Sequence, residues 1–440
     1  MKLNYKNTLF VGLAFFVILM LWQVYNTYCP LMLKPLLKDA LNLEDENKVL
    51  YIVGIIMAVD NIFALFLLPI FGNLSDMTNT RFGKRMPFIA LGMISSAIVF
   101  PFIAIFFMMN SLIGVILSML FLLTITHMYR SPAVSLMPDI TPKPLRSKAN
   151  GIINLVGYIG AIIAGALAMV FKREDQYIFP FIIASGCMIL ALIILLVKIK
   201  ENKLVAEAEK EILKGEEESE TLEEISEDGR LSKGDRRNFI IIIIAVFLWF
   251  MAFNAVETFM STYFVDLMLG QGKDAASGVS AAGTAVIILT VSSIITFIPS
   301  SFLASLIGRK LSVAIGLSIL IAGFIIAIFQ IKFGIIFIIA IALCGIGWAM
   351  INVNSYPMIV EMSNQKNIGK ITGYYYVASM LAQSVTPIIL GIIMTLNGKT
   401  KPLFYYASIV ASLAFIVFIF FKERNVMQIK KKGIEVFDVD

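Results

Sequence analysis

Charge is scarce in this sequence. Only 15% of the 440 residues are Asp, Glu, Lys or Arg, against 59% hydrophobic ones, and the mean hydropathy is +0.86. A soluble domain carries about a quarter of its residues as charges. A water-soluble fold is therefore excluded, because so little polar side chain cannot cover so much apolar surface. Histidine is almost missing: His127 stands alone, which excludes a histidine-based zinc cluster. Cys29, Cys187 and Cys344 are the three cysteines, all inside apolar runs. An odd, scattered set makes neither a disulfide framework nor a metal cluster. HExxH, GxSxG, a P-loop and Asp-rich metal motifs are also missing, so the residues point away from an enzyme. The net charge of +6 is spread over short segments and forms no nucleic-acid patch.

What is present is a series of apolar runs, each long enough to cross a hydrocarbon core of about 30 Å. They lack period-two alternation, so the spans are helices, which satisfy their own backbone in lipid. Twelve can be placed, roughly at 8–33, 48–71, 88–109, 112–137, 149–171, 177–197, 239–266, 277–305, 311–330, 333–360, 369–396 and 402–421. The division is a six-helix half at 1–197, a charged linker at 198–238 with some helix around Glu207–Leu213, a second half at 239–421 and a tail at 422–440. Lys2 and Lys6 ahead of an apolar stretch resemble a signal peptide. Trp22, Gln23 and Tyr25 stand where a small-x-small cleavage site belongs, so the first helix is expected to stay. Lys and Arg are more frequent on the side of the termini, which places both ends in the cytoplasm. The expected setting is the plasma membrane, with the chain working as a monomer.

Polar residues inside the spans follow a period of three. The interiors of spans 3, 6, 9 and 12 contain no Asn, Gln, His or charge. Elsewhere stand Gln23 and Asn26 (span 1), Asp60 and Asn61 (2), His127 and Arg130 (4), Asn150 and Asn154 (5), Asn254 and Glu257 (7), Asn352 and Asn354 (10) and Gln383 (11). Span 8 offers only Ser and Thr. Such groups are costly in lipid and face a cavity or a partner. Every third helix is therefore predicted to face lipid, which fits two pseudo-symmetric halves built from three-helix repeats. A weak internal likeness agrees: SPAVSLMPDITPKPLRSKANG after span 4 matches YPMIVEMSNQKNIGKITG after span 10, with Pro132 on Pro357 and Gly151 on Gly373.

Between spans 2 and 3 the residues Gly72, Asp76, Arg81, Gly83, Lys84 and Arg85 form the spacing G-x-x-x-D-x-x-x-x-R-x-G-K-R. Gly72 lets helices approach, Asp76 can pair with Arg81 or Arg85, Gly83 supports a tight turn, and Lys84 and Arg85 sit at the headgroups. A plain positive-inside loop would explain the charges but not the full spacing. This stretch resembles the signature loop of the major facilitator superfamily. From Pro69 to Ile89 it is similar to sucrose-type transporters and the glycoside–pentoside–hexuronide:cation symporters, and Pro132, Ser135-Leu136, Pro138-Asp139 and Arg146 fit that group. The resemblance implies a secondary transporter taking up a sugar or glycoside with H⁺ or Na⁺, with Asp76 latching the cytoplasmic side. After span 8, Gly308-Arg309-Lys310 remains, but Leu306 replaces the Asp. Where melibiose-type relatives place cation-binding carboxylates, this chain has Ala64, Leu68 and Arg130. Proton coupling, facilitated diffusion or a relocated cation site remain, with H⁺ expected ahead of Na⁺ and with no cofactor and no metal.

The substrate or proton site is expected among Trp22, Asn26, Asp60, Arg130, Asn154, Asn254, Glu257, Trp348, Asn352, Tyr376 and Gln383. Hydroxyl-rich sugar rims need amides and carboxylates, and sugar faces need aromatic rings. Asp60 lies about 18 Å along span 2 at 1.5 Å per residue, near the midplane. It carries a proton, pairs with Arg130, or does neither, and the first two can coexist, since a pair that breaks on protonation is a switch. Glu257 shares a stripe with Phe250, Asn254 and Ser261 and binds a ligand or a neighbouring helix. His127 reads as a packing residue. Two other functions compete: an exporter of drugs or lipids, and a membrane sensor that no longer transports.

Overall fold

The computed structural model describes residues 4–142, 145–207, 233–360 and 368–422. Twelve long helices follow one another: α1 (Tyr5–Ala40), α2 (Leu50–Met77), α3 (Met86–Met108), α4 (Leu112–Asp139), α5 (Arg146–Val170), α6 (Ile178–Lys198), α7 (Lys233–Leu269), α8 (Ala275–Ile307), α9 (Arg309–Ile328), α10 (Ile335–Val360), α11 (Ile368–Asn397) and α12 (Pro402–Ile419). Each is long and apolar enough to cross a membrane. Residues 201–207 add a short helix after α6. The rest of the expected linker helix (208–213) and the tail beyond 422 lie outside the described residues.

Local chemistry sets the helix starts. Side-chain oxygens of Asn4, Ser111 and Asp274 accept the N–H groups of Asn7, Gly114 and Ser277 at 3.2, 3.2 and 3.0 Å, taking up donors that a first turn leaves free. The hydroxyl and N–H of Ser277 also hold the Asp274 carboxyl below its ordinary pKa. One boundary departs from the sequence reading. The first span was expected to end near residue 33, but α1 continues to Ala40. Lys34, which would normally mark the membrane edge, is buried and ion-paired, so its charge does not end the helix.

The packing repeats between halves. In the first, α1 lies against α5 and α6, α2 against α4, and α3 against α4 and α6; in the second, α7 lies against α11 and α12, α8 against α10, and α9 against α10 and α12. The halves meet through α2 on α11, α5 on α8, and α1 on α7. The four helices without strongly polar interiors, α3, α6, α9 and α12, pack mainly within their own half. Their outward faces are apolar and exposed, as with Leu91, Ile94, Ile98 and Phe102 on α3. That helical stripe is the surface lipid covers, so the polar period is realised as expected.

Candidate functional site

The two halves touch on the face opposite the termini. There Lys34 on α1 pairs with Asp266 on α7 at 3.2 Å and with Glu46 at 3.6 Å. The Tyr51 N–H donates to Thr395 Oγ1 at 2.9 Å, and Asn47 donates to the Gly398 carbonyl at 3.4 Å. Gly165 on α5 and Gly283 on α8 face each other so closely that a Cβ on either would meet the other's carbonyl oxygen. Deeper down, Asn61 Nδ2 donates to the Gln383 carbonyl at 3.4 Å. On the termini face a Cβ on Gly151 or Gly373 would meet nothing within 4 Å. Asn150, Tyr374 and Tyr376 are exposed there. The contacts shown between the halves thus lie on the far face and midway down, while the termini face is open beside Gly151 and Gly373.

A polar cluster lies between α2 and α4. Asp60 Oδ1 lies 3.1 Å from His127 Nε2, and the Asp60 carbonyl oxygen is 3.2 Å from the same nitrogen. His127 is fully buried, and its Nδ1 has no hydrogen-bond partner among the described residues. This corrects one alternative of the sequence reading: Asp60 pairs with His127, not Arg130. Arg130 is three residues further along α4, its guanidinium 5.9 Å from the centre of the Trp22 ring, within reach of cation–π attraction. Trp22 also lies 6.1 Å from the His127 ring and meets Tyr25 edge-on at 5.7 Å. From the other half, Glu257 on α7 interacts electrostatically with Asp60 and Arg130, and with Tyr158 on α5. Tyr376 on α11 feels the charge of Arg130. One acid from each half, a histidine and a guanidinium thus share one electrostatic neighbourhood.

Other expected residues divide. Asn26 and Asn352 are half-buried. Asn154 donates to Asn150 Oδ1 at 3.1 Å on the exposed face of α5. Gln383 donates to Ser379 within its own helix at 3.2 Å, and its carbonyl belongs to the closed neck. Asn254 is buried, its Oδ1 3.5 Å from the Thr258 hydroxyl on the next turn. Trp348 has one face stacked on Phe253 at 3.8 Å and makes a T-shaped pair with Phe250, so the stacked face is closed to a ligand here. Asn354 ties α10 to Ser300 and Ser312 on α8 and α9, which is a structural clasp.

The signature loop lies at the termini face. Arg85 is buried and donates through Nε to Asp139 at 2.8 Å, through Nη2 to Asp76 and through Nη1 to Ser75. Of the two partners considered for Asp76, the structure selects Arg85; Arg81 lies over the Phe82 ring at 4.7 Å. Gly72 approaches α4 beside Ser131. Glu201 left no mark in the sequence pattern. Its carboxylate accepts the backbone N–H groups of Lys84, Arg85 and Met86 at 2.7–3.0 Å, capping the start of α3. Gly83, at φ +112°, makes room for it where any Cβ would strike the Glu201 side chain. Asn202 adds bonds to the Thr80 and Arg81 carbonyls at 3.2 Å. The first turn of the supposed solvated linker is thus packed on the loop.

Known proteins place this architecture. No curated protein matches the chain. Among solved structures, the nucleoside transporter NupG aligns over 94% of this chain and 99% of its own, at TM-score 0.67 and 13% identity. A bacterial homologue of the human lysosomal transporter Spinster, inward-facing and occupied, aligns over 95% and 97% at TM-score 0.68 and 12% identity. A POT family transporter in complex with a thioalcohol-conjugated peptide aligns over 93% and 94% at TM-score 0.64 and 14% identity. Identities this low speak to the fold alone. The description of the Major Facilitator Superfamily matches residues 11–289 and 272–436. With that match over most of its length, its twelve helices and its two halves, the chain belongs to the major facilitator superfamily and is a secondary transporter rather than an enzyme.

Proposed function

We propose that this transporter takes up a sugar or glycoside by H⁺ symport, with both termini cytoplasmic, so that the arrangement described above, joined on the far face, is its inward-open form. The observation that carries the coupling is the Asp60–His127 pair at 3.1 Å beside Arg130, with Glu257 facing it from the other half. A carboxylate bonded to imidazole deep in a membrane can take up and release a proton, and its bonding to neighbours changes when it does. Arg130, a fixed cation where relatives of the melibiose type hold an acid, disfavours a Na⁺ site there. The sugar class rests on the resemblance of residues 69–89 to the sucrose-type and glycoside symporters. It is supported by half-buried or exposed amides on α1, α5 and α10 and a ring on α11: Asn26, Asn150, Asn154, Asn352 and Tyr376.

The test is external pH in a lightly buffered suspension of de-energised cells making the protein, while disaccharides and glycosides are added in turn. Alkalinisation with one of them is the expected result. No pH change with any, alongside measurable uptake of a labelled member, would reject H⁺ coupling. Efflux rather than uptake of apolar compounds would favour the exporter.

A further inference from the structure

At the termini face, α7 and α12 enclose an open groove of about 600 Å³ on the outside of the second half. Its floor is Ile240 and Ile241 from α7 with Ile416, Val417 and Phe420 from the α12 end. Its rim is Arg236 and Arg237, one turn earlier on α7. Both arginines are exposed, and neither has an ion-pair partner among the described residues. No acidic residue lines the groove. Its end is fastened by a reciprocal pair: Asn238 Nδ2 donates to the Lys422 carbonyl at 2.9 Å, and the Lys422 N–H donates to Asn238 Oδ1 at 3.3 Å. The two helix ends are therefore held together, and the groove is a built feature of the surface. Neither the transport cavity nor the signature loop contributes to it.

We infer that this groove binds an anionic phospholipid, with its phosphodiester against Arg236 and Arg237 and an acyl chain along Ile240, Ile416 and Phe420. The chemistry follows from the layout. Guanidinium groups match phosphate oxygens in a two-pronged geometry. Basic pockets between membrane helices at the headgroup level take anionic headgroups. A soluble phosphate would use the rim and leave the floor bare, whereas a lipid satisfies both. The inference is independent of the transported substrate.

The purified full-length protein is incubated in nanodiscs with labelled phosphatidylglycerol or phosphatidylcholine, and retention of each lipid through detergent extraction is measured. Phosphatidylglycerol is expected to be held preferentially. The double variant R236Q/R237Q is expected to weaken it about thirtyfold, about fivefold for each arginine removed. Ile416→Trp and, on the other wall, Ile240→Trp fill the groove without changing charge. Each is expected to lower retention while the protein still runs as a single species on gel filtration. Equal retention of the two lipids would overturn the assignment, as would wild-type retention in both tryptophan variants. Cross-linking of Ile240→Cys to a cysteine introduced at Glu220 would overturn it too, by giving the groove to the chain's own acidic linker.

Discussion

Arg85 holds Asp139, Asp76 and Ser75 with one planar guanidinium, a fork that lysine cannot reproduce. Asp76 is the more exposed of its two acidic partners, so it is the one free to exchange contacts when the termini face closes. Asp76→Asn is therefore expected to leave the fold intact, because Asp139 keeps Arg85 paired, and to depress transport. Wild-type transport rates in that variant would remove the latch role. Glu201 works in the opposite sense, as a fixed anchor. Glu201→Ala removes charge-assisted bonds to three N–H groups at the start of α3, each worth about 2 kcal/mol. It should lower the melting temperature in detergent clearly, and Glu201→Gln, which keeps one acceptor oxygen, less so. Neither the anchor nor the partner of Asp60 was legible in the sequence, for different reasons. A glutamate at the head of a charge-rich segment looks solvated until the loop that buries it is placed. Residue counting gave the depth of Asp60 but not which side chain of α4 faces it. His127 and Arg130 are less than one turn apart, so rotation about the helix axis decided between them.

At the level of helices, the far face is shut by two devices. One is the close approach of α5 and α8 at Gly165 and Gly283; the other is the buried Lys34 between Asp266 and Glu46. Bulk at the first or an unpaired charge at the second should disfavour this closed face. Removing one partner of a buried pair costs about 3 kcal/mol, enough to shift a balanced two-state equilibrium more than a hundredfold. In pulsed EPR, the distance between labels at Lys172→Cys and Lys273→Cys is expected to lengthen in both Gly283→Leu and Lys34→Ala. Unchanged distances in both would show that neither device holds the face. The spans and the lipid-facing set α3, α6, α9 and α12 were legible, because lipid penalises every misplaced polar group and the penalty leaves a period. The closing pair was not, because Lys34 looks like a membrane boundary until its partner more than two hundred residues away is brought beside it.

On the scale of the whole molecule, two halves with matching helix contacts meet at α2 and α11, α5 and α8, and α1 and α7, and the charges on which the proposed coupling rests come from both. Asp60, His127 and Arg130 belong to the first half and Glu257 to the second. In the proposed coupling, a change of protonation in one half alters its attraction to the other and so favours one closed face. The measurement that tests this most directly uses proteoliposomes with an alkaline interior and the sugar identified by cell alkalinisation. Uphill accumulation and sugar exchange at equal pH are followed for the wild type and for Asp60→Asn. Coupling through Asp60 predicts that the wild type accumulates sugar against its gradient, whereas Asp60→Asn exchanges at near wild-type rates but only equilibrates. Full accumulation by Asp60→Asn would contradict it and place the proton elsewhere.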